Sequence, residues 1–137
     1  MKIVIDTNIL LVSIPAHSKY RPILDAFSKR IYTLIITTAI YFEYIEMLEK
    51  LSAKGVTKYI EDALVVARNV LKPEVYYYWD LITVDPDDNK FIDAYIAADG
   101  DYLVTNDAHF NEAKKVNFPL VNIVSADEFL EILKKVQ

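Results

Sequence analysis

Two short segments of the chain end in the same way. Lys2-Ile3-Val4-Ile5 runs into Asp6-Thr7-Asn8, and Tyr102-Leu103-Val104 runs into Thr105-Asn106-Asp107. Each is an apolar run of the kind buried on both faces of a parallel sheet, stopped by three short polar side chains. An acid at the carboxyl end of such a strand points into the crevice where open α/β sheets carry their sites. Two further acids are candidates for the same rim. At about 100° per residue, Glu43 lies at the edge of an apolar helical stripe, stacked between Ile40 and Met47. Glu46 points well away and is the weaker substitute, as does Glu49. Asp88 lies near the middle of the face made by Phe91, Ile92, Tyr95 and Ile96, one turn earlier, whereas Asp87 and Asp93 fall to the side. Asp99 shares that face but sits about 16 Å further along the axis, too far to join Asp88.

Carboxylates gathered within a few ångströms repel one another and cannot all stay ionised unaided. A divalent cation removes the conflict. The chain has no cysteine, so a metal must be held by oxygen or imidazole, and oxygen ligands favour Mg²⁺ or Mn²⁺, as one or two ions. Such a centre suits metal-assisted hydrolysis, with an activated water and charge stabilisation on a phosphate. A plainer reading exists for part of the set. Asp6 alone also suits a strand-end turn, and Asp85 and Asp87 are well explained as helix-start acids facing the macrodipole. Asp88 is explained less well, although either neighbour is close enough to replace it.

The elements that would position these acids follow from the apolar periodicity. After the first strand, Ile9 to Ile14 open a helix, and Pro22 begins another that runs to about Lys29. Ile31 to Ile36 read as a strand, with Thr37 and Thr38 as the turn or cap. The clearest helix runs from about Ala39 to Lys54, with Ile40, Tyr44, Met47, Leu48 and Leu51 inward and Gly55 as its stop. Thr57 to Leu71 form the next, with Ile60, Leu64 and Val65 inward. A helix follows the acidic turn at residues 85–89 and ends near Gly100. The strand at Tyr102–Val104 leads to a short helix over 108–115. Leu120 to Val124 form a last strand, and Ser125 with Glu128 makes a capping box for a final helix to Lys135. Strands alternating with helices imply an α/β domain around a parallel sheet.

At 137 residues and 53% hydrophobic content, with only two glycines, the chain is expected to form one domain over residues 1–137 without linkers. No run of 18 apolar residues predicts a membrane span, and the first residues make a poor signal peptide because Asp6 and Asn8 interrupt them. Together with the absence of cysteine, this suits a cytoplasmic location. The net charge of −5 argues against a general nucleic-acid coat. It does not argue against an enzyme whose acidic site is loaded with cations. The run Tyr76-Tyr77-Tyr78-Trp79 reads as core or a subunit contact, with base stacking the alternative. His17 and His109 read as surface residues, although His109, two positions after Asp107, has reach to a substrate phosphate. Lys19, Arg21, Arg30, Lys90 and Lys114 are the basic candidates for backbone contact, each more often a solvated charge.

With these residues in hand, the chain resembles the PIN-domain nucleases, notably the toxin-like single-domain members of prokaryotic toxin–antitoxin systems. The segments that carry the resemblance are IVIDTNIL, TTAIYFEYIEML, DPDDNKFIDAYIAADGDYLVTND and the following HF. They span nearly the whole chain in the family's order, and Asn106 stands where many relatives have glycine. The resemblance implies a three-layer α/β/α fold with a central parallel sheet of four to five strands. It implies Asp6, Glu43, Asp88 and Asp107 as metal-binding, catalytic acids, supported by Thr7, Asn8, Thr105 and Asn106. It further implies a Mg²⁺- or Mn²⁺-dependent endoribonuclease acting on RNA, an antitoxin partner if the protein is a toxin, and a homodimer, as is common among relatives. Competing readings are an RNA-processing or quality-control nuclease without an antitoxin, and a catalytically silent PIN-like binding module. A phosphatase reading is weaker, because a second Asp is wanted where Asn8 stands.

Overall fold

The computed structural model describes residues 1–137. Five parallel strands form one sheet in the order β3-β2-β1-β4-β5, with β1 at Lys2–Ile5, β2 at Thr33–Ile35, β3 at Val70–Leu71, β4 at Tyr102–Val104 and β5 at Ile123–Val124. Seven helices flank it: α1 (Thr7–Ser13), α2 (Arg21–Ser28), α3 (Thr38–Leu51), α4 (Val56–Val66), α5 (Asn89–Ala97), α6 (Asn111–Lys114) and α7 (Ala126–Val136). The parallel α/β architecture predicted from the alternation is therefore the one observed. The strands are continuous in apolar type because both faces are covered: Ile3, Val4, Leu103 and Val104 are fully buried.

Strand order decides where a site can lie. From β1 the chain builds outward to β2 and β3, then returns to the other side of β1 to add β4 and β5. The reversal falls between β1 and β4, and a crevice opens at their carboxyl ends. Their register pairs Ile3 with Tyr102, Val4 with Leu103 and Ile5 with Val104, so the next residues, Asp6 and Thr105, emerge side by side. The Asp6 N–H extends the ladder by donating to the Val104 carbonyl at 3.0 Å.

Several local expectations are corrected. The helix read as Thr57–Leu71 ends at Val66, and Val70–Leu71 become an edge strand. The open side of β2 needs backbone partners and finds them there: Leu34 N–H donates to Asn69 O and Ile36 N–H to Leu71 O. The Asn69 side chain fixes this edge by donating to the carbonyls of Phe27 and Tyr32, both at 2.9 Å. Val65 and Leu51, both read as inward, are exposed. Gly55 does not stop α3, which ends at Leu51. It adopts φ 91° at the N-cap of α4, a left-handed conformation that suits glycine. The strand read as Leu120–Val124 shrinks to its last two residues, with Leu120 exposed.

Two acids also exchange places. Asp99 is exposed rather than facing the core, since α5 ends at Ala97 and Asp99 takes a left-handed φ of 53° in the turn beyond it. Asp93 is buried rather than lateral, because its carboxylate accepts the Trp79 N–H at 3.0 Å and holds the preceding segment against α5. That segment has no regular structure, and Tyr76, Tyr77 and Tyr78 are exposed, so the aromatic run is not core. Helix α3 is oriented by Tyr44, fully buried, whose hydroxyl donates to the Ile5 carbonyl at the end of β1. The same helix carries Glu43.

The turn into β4 is tightly packed. A Cβ on Gly100 would lie 2.7 Å from the Tyr95 ring and 3.2 Å from Ile35. Gly100→Ala is therefore expected to lower stability by about 1–3 kcal/mol through overpacking, as measured by urea denaturation.

Candidate metal centre

The carboxyl edge between β1 and β4 carries Asp6 and Asp107, and Glu43 and Asp88 lie near enough for their charges to act on these acids or to be acted on by them. Asp6 is 6% exposed. Its Oδ2 accepts a hydrogen bond from the Thr105 hydroxyl at 2.8 Å, which fixes the carboxylate across the strand pair. Burial pushes the Asp6 carboxyl up to about 6 against that hydrogen bond, and the nearby charges of Glu43 and Asp107 push the same way. Thr105 also accepts the Asp107 N–H at 3.0 Å, so one hydroxyl sets the geometry of both strand-end acids. Asp107 then caps the 3-10 turn Ala108–Phe110 by accepting the His109 N–H at 2.9 Å.

Asp88 ends the 3-10 turn Pro86–Asp88 that leads directly into α5. Burial pushes its carboxyl up to about 6 as well, with repulsion from Asp85, Asp6 and Asp107 added and His109 opposing. Its Oδ2 is buried and has no hydrogen-bond partner, a costly state for a charged oxygen. His109 Nδ1 stands 3.7 Å from this oxygen, 3.7 Å from Asp85 Oδ2 and 3.5 Å from Asp107 Oδ1. These separations are too long for direct hydrogen bonds. Ligand atoms of Asp85, Asp88 and His109 lie within 4.8 Å of one another.

Glu43 stands in a different environment. One oxygen accepts the Thr7 hydroxyl, and the other lies 2.6 Å from Lys90 Nζ. Lys90 also reaches Asp87, with its carboxylate at 2.9 Å and its carbonyl at 3.1 Å. Burial works against the charge on Lys90, but its bonds to Glu43 and Asp87 outweigh that and raise its pKa above the ordinary lysine value.

The supporting residues divide. Thr7 and Thr105 are buried and bond directly to the acids, whereas the Asn8 side chain is exposed. Asn106 is committed elsewhere, accepting the Ala126 N–H at the start of α7. Glu46 pairs with Lys50 on the exposed side of α3. Among the basic candidates, Lys19 is taken up by Asp127 and Arg21 by Asp25, and Lys90 is not a solvated charge. His109 and Asp85 are the residues that sequence reasoning underweighted. Only their separation of two or three residues from Asp107 and Asp88 hinted at them, and that spacing says nothing until both turns are folded.

These donors fit a hard divalent cation. They are carboxylate oxygens with one imidazole at the edge, and the unpartnered Asp88 oxygen is the kind of group that a cation would satisfy.

Without metal, the raised acids have a stability signature. A carboxyl whose folded pKa exceeds its unfolded value of 3.8 holds its proton longer in the folded state. Stability is therefore lost as pH rises through the window from about 4 to about 6. Asp88→Asn removes that charge permanently. In EDTA the variant is expected to melt a few degrees above wild type at pH 7.5, with the gap narrowing through pH 5 and closing near pH 4. Thermal melts that keep a constant gap across this range would contradict the assignment of the burden to Asp88.

The PIN domain family model matches residues 2–109. No curated protein matches the chain. Among solved structures, it is similar to a chain in the crystal structure of VapBC2 from Rickettsia felis bound to a DNA fragment from their promoter. The identity is 20% and the TM-score 0.63, over 91% of this chain and 98% of that one. At that identity the likeness is one of fold, and it agrees with the five-stranded parallel sheet described above. The family match extends from β1 through His109 and takes in every acid of the rim, and the chain belongs to the PIN-domain family.

Proposed function

We propose that the protein is a metal-dependent endoribonuclease that hydrolyses RNA phosphodiester bonds in the cytoplasm, as the toxin of a toxin–antitoxin pair. What supports this reading is a buried Asp88 oxygen that no protein group satisfies, with Asp6 and Asp107 near enough for their charges to push its carboxyl up. Membership of the PIN-domain family supports nuclease chemistry, and the fold shared with VapBC2 supports the toxin–antitoxin setting. No helix is long and apolar enough to cross a membrane.

In this mechanism Asp6, Asp88 and Asp107 would offer oxygens to Mg²⁺ or Mn²⁺, and Glu43 completes the acidic rim beside them. A divalent ion held there supplies Lewis-acid activation of the attacking water and offsets charge on the phosphate. Thr105 fixes Asp6 Oδ2. Thr7 and Lys90 orient Glu43. His109, nearly half exposed beside Asp107, is positioned to donate to a phosphate oxygen of the incoming strand. An antitoxin that inhibits the enzyme would cover this rim.

Purified protein is expected to cleave labelled RNA with Mn²⁺ or Mg²⁺ and to stop in EDTA. Asp6→Asn and Asp107→Asn should each lower the rate at least a hundredfold while leaving the far-UV circular dichroism unchanged. Equal cleavage by wild type and both variants would point to a contaminating nuclease and remove the assignment.

A further inference from the structure

The rim acids are not equivalent in what satisfies them. Both oxygens of Glu43 are engaged, one by Thr7 and the other by Lys90 at 2.6 Å. An ammonium has three donors, and Lys90 has an acceptor for each: Glu43 Oε1, Asp87 Oδ2 and the Asp87 carbonyl. Its side chain is only 15% exposed, and Nζ sits 5.5 Å from the centre of the Phe91 ring. This is a fixed internal cation rather than a mobile surface charge. Across the rim, Asp88 Oδ2 has no partner at all, and the only base near it is the His109 ring at 3.7 Å.

Two-metal phosphoesterase centres hold their ions about 3.5–4 Å apart, clamped between shared carboxylates. Here a second ion on the Glu43 side would have to take Glu43 Oε1 from Lys90 and set a like charge beside a largely buried ammonium held at 2.6 Å from it, which is unfavourable. We propose that Lys90 takes the place of a second divalent ion. The rim then binds one ion, on the side of Asp88, and Glu43 acts as a positioning residue that anchors Lys90 instead of ligating metal. Lys90 also precedes Phe91 at the start of α5, so the same contact locks α5 to α3 across the site. The positive charge on the Glu43 side of the rim is then supplied permanently by the chain.

This inference rests on the proposed metal centre, and ion counting separates the two. Isothermal titration of the intact protein with Mn²⁺, checked by native mass spectrometry, is expected to give one ion per chain for wild type and none for Asp88→Asn. Lys90→Gln should take up two ions, and Lys90→Arg should stay at one. Glu43→Gln should still bind one. A merely structural salt bridge would alter melting temperature in these variants without changing the count. Two ions in wild type, one ion in a folded Lys90→Gln protein, or loss of the ion in Glu43→Gln would each overturn the role of Lys90. Should Lys90→Gln fail to fold, the wild-type and Glu43→Gln counts still decide. Wild type that binds no Mn²⁺ would instead overturn the metal centre itself, and this proposal with it.

Discussion

The structure turns on the pairing of β1 with β4, because that register brings two negative strand ends to one place. Ile5 opposite Val104 puts Asp6 next to Thr105, with Asp107 two residues beyond. The Thr105 hydroxyl then works in both directions, donating to Asp6 and accepting from the Asp107 backbone. Neighbouring strands of a parallel sheet share a carboxyl edge, so residues that follow paired strands emerge side by side. The cost is electrostatic. Burial and mutual repulsion raise the carboxyl pKa of both Asp6 and Asp88 to about 6, so the folded chain holds charge that it would release if it could.

The fold meets this cost unevenly. The Glu43 side is neutralised from within by Lys90 and hydrogen-bonded by Thr7. The Asp88 side is left open, with a buried oxygen lacking any partner. A chain selected only for stability would have no reason to keep that oxygen charged, since an apolar or amide group there would relieve both the repulsion and the desolvation. Local instability at a rim that the rest of the core over-determines is the expected mark of a binding site. The rigid surroundings support it: Tyr44 ties α3 to the end of β1, and Asn89 ties the start of α5 to Ile82 through two hydrogen bonds of 2.9 Å.

The same division runs through the apolar surface. The central strands and the inner faces of α3 and α5 are fully covered, while Phe42, Leu51, Tyr59, Val65 and Val66 on α3 and α4 remain open, as do Tyr76, Tyr77, Tyr78 and Phe118. Periodicity locates an apolar stripe on a helix but not where the neighbouring layer stops. Val65 and Leu51 read as inward from spacing alone and are exposed. The tyrosine run shows the same limit: of its two readings, core or subunit contact, the core one fails because Tyr76, Tyr77 and Tyr78 lie exposed on an irregular strap.

The sequence by itself determined the strands that end in Asp6 and Asp107, the parallel α/β class, the stripe on α3 and the capping box at Ser125. Each depends on local pattern: apolar runs, periods near 3.6 residues, and short polar side chains next to helix starts. It also singled out Glu43 and Asp88 over Glu46 and Asp87, because angular position on a helix follows from spacing alone. Tertiary structure decided the fifth strand at Val70–Leu71, the burial of Asp93, the exposure of Asp99, the approach of His109 and Asp85, and the capture of Lys90 by Glu43. Each of these depends on two segments meeting that are distant in the chain or joined by a turn whose direction spacing does not encode. Charge compensation depends on distance in space, and only the assembled fold sets the distances from Lys90 and His109 to the acids they face.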